Sequence, residues 1–304
     1  MLARHKLVLE FWDKKKELAV KNKEYSNFVR VFFSLLLKSD IKNEDLTTDY
    51  LIKKNKKVSA IVTAEESGIL AGVEEFKFLN NDLKIKQFKK DGDKLKNDEM
   101  ILEINGNAKT ILERERTNLN LLQRMSGIAT LTNSLNKKLK SIKIAATRKT
   151  LWGLLDKKAV SIGGGLTHRL NLSDGIIIKD NHLKLINYNI NEAINLSKNK
   201  SKYIEIEVEN KNQALTSAKI IKKISNKNNK SLFAIMLDKI PPKETKSIIN
   251  KLQKQNLYDY VLLEASGNIK PENINGYVDC GVDVISMGFI TNSAKVLNMS
   301  LEVK

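Results

Sequence analysis

The stretch TRKTLWGLLDKKAVSIGGGLTHR (147–169) sets Arg148, Lys149, His168 and Arg169 around Gly163–Gly165 with a single acid, Asp156, among them, and Lys179 follows soon after. Guanidinium forks pair bidentately with planar oxyanions, so this group suits a compact anion carrying more than one carboxylate or phosphate. Several charge-assisted bonds of roughly 1.5–3 kcal/mol each leave micromolar binding after association costs. A second set is acidic: Glu207 and Asp238 close two successive strand candidates, and paired carboxylates there suit Mg²⁺ or sugar hydroxyls. A third lies in EASGN (264–268) and SMGF (286–289), where small residues after the last two strands leave backbone N–H groups free to cradle phosphate.

Other residues read more plainly. Glu205 and Glu209 share a face with Glu207, alternating with Ile206 and Val208, so any of the three could be a solvent-facing strand residue. His182 reads as a strand-end cap, and Lys157 and Lys158 as surface charges. The glycine run matches neither a Walker loop nor the dinucleotide fingerprint.

The elements that must position these groups follow from periodicity. Residues 1–45 read as helical, up to FVRVFFSLLLKSD. Short strands follow between 58 and 112 (VSAIVTAEE, GILAGV, LKIKQFK, MILEING), with turn signals at Asp91-Gly92 and Asn105-Gly106. A helix then begins near Leu112, with Leu119, Leu122, Ile128 and Leu131 as its buried stripe. From about Lys140 the rhythm becomes strand then helix, with strand candidates at 142–149, 175–181, 203–210, 233–239, 260–267 and 282–288. Apolar strands alternating with amphipathic helices predict a parallel sheet covered by helices. Nearly every strand is apolar until it ends in a functional group: Arg148 and Lys149, Lys179 and Asp180, Glu207, Asp238, Glu264 and Ser266, Ser286. The carboxyl ends of parallel strands share one face, where such folds hold their sites.

Composition narrows the class. The 304 residues, 41% of them hydrophobic, can bury one large core or a medium core with a small companion. No apolar run is long enough to cross a bilayer, and the charged N-terminus does not read as a signal peptide, so a cytoplasmic protein is expected. The single cysteine, Cys280, reads as a small buried packing residue, and three scattered histidines make no zinc site. The net charge of +18 is spread along lysine- and asparagine-rich surface stretches, which disfavours specific nucleic-acid binding.

The segments ERTNLNLLQRMSGIAT, TRKT, GGGLTHRLNLSDGIIIKDNH, EIEVEN, IMLD, LLEASGNI and GVDVISMGFITNS resemble, in order and spacing, the signature segments of the quinolinate phosphoribosyltransferases. The resemblance runs from about Leu35 to the C-terminus. It implies an α/β fold: an incomplete seven-stranded α/β barrel (TIM-like) at 131–289, preceded by an N-terminal α+β open-faced sandwich. Residues 1–130 then hold a helical extension and the sandwich, and the tail 290–304 packs back on it. The implied reaction joins quinolinate and phosphoribosyl diphosphate, with Mg²⁺, to give nicotinate mononucleotide, diphosphate and CO₂ for NAD biosynthesis. By motif, Thr147, Arg148, Lys149, His168, Arg169 and Lys179 would bind quinolinate, joined by Arg116 of a neighbouring subunit in a homodimer or larger homo-oligomer. The same register selects Glu207, with Asp238, for metal and ribose, and Ser266, Gly267, Asn268 and Met287–Phe289 for the 5′-phosphate. Lys149, Lys179, Glu207 and Asp238 would be catalytic. The chain departs from the family pattern at Leu151–Trp152, Lys239, Asn268 and Asn292. The competing readings are a molybdenum-transport-associated paralogue, disfavoured by Lys179, and a silent basic binding protein.

Overall fold

The computed structural model describes residues 2–54, 56–139, 142–226 and 229–304. In chain order these form α1 (Leu2–Trp12), α2 (Lys23–Asp40), α3 (Leu46–Leu51), β1 (Lys57–Ala64), β2 (Gly68–Ile69), α4 (Val73–Leu79), β3 (Lys84–Gln87), β4 (Lys94–Leu95), β5 (Met100–Asn107) and α5 (Ala108–Leu139). Then follow β6 (Lys143–Ala146), α6 (Leu154–Ile162), β7 (Ile176–Ile178), α7 (Asp180–Leu185), α8 (Ile190–Ser197), β8 (Tyr203–Val208) and α9 (Lys211–Ser225). The chain ends with β9 (Leu232–Asp238), α10 (Pro242–Lys254), β10 (Leu262–Ser266), β11 (Val284–Met287), α11 (Phe289–Asn292) and β12 (Met299–Val303). Among the described residues no helix is long and apolar enough to cross a membrane.

The chain divides into two units. One comprises Lys15–Ser134, Thr150–Gly164 and Ile290–Lys304. Its sheet is antiparallel in the order β12-β1-β5-β3, with β2 and β4 pairing separately. The alternating strand β1 buries Ala60, Val62 and Ala64 on one face, against Leu70, Phe76, Ile104 and Leu122. The tail's β12 completes this sheet, Val62 facing Leu301. The Leu151–Trp152 loop is held here by the buried Asp156. Its carboxylate accepts both loop amides (2.9 and 3.0 Å) and a two-point fork from Arg124 (2.8 and 2.7 Å). Lys157 is buried, 2% exposed, and Lys158 pairs with Glu74 at 2.7 Å, so neither is the surface charge that its sequence context suggests.

The other unit comprises Met1–Lys14, Leu135–Lys149 and Gly165–Phe289. Its six strands are parallel, in the order β6-β11-β10-β9-β8-β7. A seventh strand position is a single parallel bridge, Leu166 beside Ala145, on the free edge of β6. Among the described residues no ladder joins Leu166 to β7, which leaves the barrel incomplete there. Strand residues two apart face the same way, and in a barrel one set points inward. The inward positions form layers: Tyr203, Leu262 and Val284 at the bottom, Glu205 and Glu264 in the middle, and Glu207 and Ser266 at the top.

The expected boundary differs at the N-terminus. The first fourteen residues cluster with the barrel, because α1 packs Val8, Phe11 and Trp12 on Ala145, Leu166, Ala234, Leu262 and Val284 at the amino ends of the strands. Burying each such side chain stabilises by about 2 kcal/mol. The helical reading of 1–45 is carried by α1 and α2, with a 3₁₀ turn at Lys15–Glu17 between them.

Candidate active site

The carboxyl ends of the barrel strands open into one cavity of about 410 Å³. It is lined by Thr147, Arg148 and Lys149 after β6, His168 and Arg169 after Leu166, and Lys179 after β7. Glu207 and Asp238 line it at the ends of β8 and β9, with Ser266, Gly267 and Asn268 after β10. All eleven of these barrel residues picked from sequence thus share a cavity. Met287, Gly288 and Phe289 are not among the lining residues; the Met287 side chain is buried instead (1% exposed), and Ser286 takes its place at the wall. Arg116 is exposed on α5, in the other unit.

The cationic side is under-neutralised. Arg169 donates one Nη1 bond to the Gly175 carbonyl (2.9 Å), while its buried Nε has no hydrogen-bond partner among the described residues. Burial and then the neighbouring Arg148 charge lower its pKa, against the opposing pull of Glu205 and Asp174. Lys179 reaches Glu207 at 3.3 Å and Lys239 reaches Asp238 at 3.1 Å. Burial raises the Glu207 pKa, Lys179 opposes this, and Asp238 adds a further raising contribution, so the two carboxylates sense one another. Two such oxygen donors at neighbouring strand ends fit a hard divalent cation or a diol.

At the cavity floor His168, Glu264 and Glu205 form a buried cluster, of which Glu205 alone had no site role in the sequence. His168 Nε2 sits 3.0 Å from Glu264 and 3.4 Å from Glu205, both carboxylates almost fully buried. Burial pushes the His168 pKa down, but Glu264 and Glu205 outweigh it and hold it up at about 9. The Arg169 amide pulls the other way, donating to Nδ1 at 2.8 Å and favouring the neutral ring. Nε2 carries a proton in either state, and this backbone contact fixes the ring. Burial and the Glu264 charge push Glu205 up to about 7. For Glu264 burial acts upward, but His168 and Ser286 bring it below the ordinary range. The Ser286 hydroxyl donates to Glu264, and Ser266 Oγ lies 3.0 Å from Ser286 Oγ, so a hydrogen-bond chain crosses the cavity floor from the cations to the Ser266 turn. Glu205 is therefore an interior residue, whereas Glu209 is exposed. The signal was present in YIEIE and LLEAS, where Glu205 and Glu264 stand two residues before the top-layer Glu207 and Ser266.

The chain resembles known proteins over most of its length. Residues 45–126 match the family description "Quinolinate phosphoribosyl transferase, N-terminal domain" and residues 128–302 the corresponding C-terminal domain. The chain is 40% identical over 281 residues to a probable nicotinate-nucleotide pyrophosphorylase [carboxylating] of Methanothermobacter thermautotrophicus, covering 88% of this chain and 96% of that one. A protein of the same description from Methanocaldococcus jannaschii is 38% identical over 278 residues, covering 88% and 94%. The solved nicotinate-nucleotide pyrophosphorylase of Francisella tularensis superposes with a TM-score of 0.78 at 30% identity, over 91% of this chain and 96% of that chain. With both domains matched in order across most of its length, the chain belongs to the quinolinate phosphoribosyltransferase family.

Proposed function

We propose that this protein transfers the phosphoribosyl group of phosphoribosyl diphosphate to quinolinate and releases CO₂, yielding nicotinate mononucleotide and diphosphate. The observation that carries this reading is the shared cavity itself: six basic side chains, three carboxylates and a Ser-Gly-Asn turn around about 410 Å³. Arg148, Lys149, Arg169 and Lys179 hold the two carboxylates of quinolinate, and the unpartnered Arg169 Nε is the donor that such an anion satisfies. His168 has both ring nitrogens engaged, so it acts on the Arg169 backbone and the cavity floor more than on the substrate. Ser266, Gly267 and Asn268 receive the 5′-phosphate.

Glu207 and Asp238 are the residues that would hold Mg²⁺ and the ribose hydroxyls; Mg²⁺ supplies charge neutralisation for the diphosphate. As the C1′–O bond breaks, diphosphate leaves with the bonding pair and positive charge grows at C1′. Lys149 and Lys179 stabilise the departing anion, and Glu207 and Asp238 tolerate the cation. The pyridine nitrogen, oriented by its clasped carboxylates, forms the new bond to C1′. The ring is then a pyridinium. Cleavage of its bond to the 2-carboxylate releases CO₂, leaves the electron pair on the ring carbon, and a proton is taken up there.

A second copy of the chain offers Arg116 to complete the cationic wall. The direct test incubates the protein with quinolinate, phosphoribosyl diphosphate and Mg²⁺. Nicotinate mononucleotide and diphosphate should appear in equal amounts; their absence would remove the assignment.

A further inference from the structure

The thirteen residues at the start of the described chain lie outside the segments that match the family, yet they reach the site. Arg4 fixes the first turn of α1 with two contacts to Asp283 (both 2.7 Å) and bonds to the carbonyls of Val261 (2.8 Å) and Tyr258 (3.2 Å). At the other end the chain leaves α1 directly against the His168 loop. The His168 amide donates to the Trp12 carbonyl at 2.7 Å, and the Lys14 amide donates to Thr167 Oγ1 at 2.8 Å. The Thr167 hydroxyl lies 2.9 Å from the His168 carbonyl and 3.3 Å from that of Trp12, so one buried side chain ties both strands of this contact. Held this way, His168 has φ +55°, a left-handed conformation that an L residue keeps only when its surroundings impose it. Its ring then accepts the Arg169 amide through Nδ1 and faces Glu264 through Nε2. On the barrel side, the backbone bonds at this loop's start are those of the single bridge, Leu166 to Ile144 (2.7 Å) and Ala146 to Leu166 (2.9 Å).

We propose that the Trp12–Lys14 segment is a strap that positions the His168–Arg169 pair, and through it the dicarboxylate half of the cavity, with Thr167 as its buckle. This rests on the functional reading above for the identity of the ligand. Thr167 and Trp12 are positioning residues, since neither lines the cavity.

The test compares Thr167→Val, which removes the hydroxyl, with Thr167→Ser, which keeps it. Thr167→Val should raise the quinolinate KM about tenfold, the equivalent of a buried hydrogen bond, with the phosphoribosyl diphosphate KM unchanged; Thr167→Ser should restore quinolinate KM. Arg4→Gln frees the far end of the same helix and should shift quinolinate KM in the same direction, which keeps the test available if Thr167→Val does not fold. A folded variant of either kind with unchanged quinolinate KM, or equal losses for both substrates, would overturn the strap. The chain has three histidines, so the His168 ring can be followed by NMR without any turnover. Its resonances should shift or broaden in Thr167→Val and Arg4→Gln; unaltered His168 signals would sink this proposal alone, whereas an inactive wild type would sink only the functional reading.

Discussion

Four residues around the cavity have left-handed backbones: His168 (φ 55°), Lys239 (φ 55°), Gly267 (φ 85°) and Asn268 (φ 54°). Each non-glycine residue held there costs roughly 1–2 kcal/mol, so conformational strain is gathered where ligands are expected. Gly267 is the position with no latitude. A Cβ there would lie 2.5 Å from Asp238 Oδ1 and 2.7 Å from the Lys239 amide. Gly267→Ala should displace the Asp238 carboxylate and raise the phosphoribosyl diphosphate KM by at least about tenfold with quinolinate binding retained. Titration of each substrate separately checks this, and equal affinities in variant and wild type would count against the placement of Asp238. The strand-end residues were legible because each closes an apolar run. Glu205 was legible only through Glu207: alternation puts both on one face, and only the strand-end group marks that face as the barrel interior. Lys157 was not, because nothing local marks a lysine for burial.

At the scale of elements, the core strands and helices followed from periodicity, while the role of α1 did not. Its partners, from Ala145 to Val284, are distant in sequence, and a short charged helix carries no local sign of what it will cover. A second element holds a pH-sensitive group. Helix α4 buries Glu75, whose Oε1 accepts the Tyr25 hydroxyl at 2.7 Å while Oε2 has no hydrogen-bond partner among the described residues. Burial, then the nearby Asp91 charge, pushes its pKa up to about 7, against the opposing pull of Lys158 and Tyr25. A carboxyl raised by folding is protonated more readily in the native state. Its contribution is therefore complete below the unfolded value of 4.5 and is lost as pH rises through about 7. At the upper end the loss is about 3 kcal/mol. Glu75→Gln keeps the acceptor for Tyr25 and should flatten this decline. Urea midpoints at pH 5 and pH 8 measure it, and equal declines in both proteins would show that Glu75 is already ionised.

On the scale of the whole molecule, the barrel unit supplies one complete cavity wall and Arg116 is exposed on the other unit. If Arg116 serves the site of a second copy, two inactive variants should complement. Mixed Arg116→Ala and Asp238→Ala subunits form dimers in which one site keeps every residue, giving roughly a quarter of wild-type activity under free exchange. No recovery after demonstrated exchange would place Arg116 outside the site.

In the proposed reaction the cations of 147–179 clasp two carboxylates on one ring. A substrate with one carboxylate leaves part of that buried charge unpaired, a penalty that discriminates strongly. The measurement is kcat/KM for quinolinate against nicotinate, at fixed phosphoribosyl diphosphate and Mg²⁺. Turnover of quinolinate alone is the predicted result; nicotinate consumed at a comparable rate would contradict it.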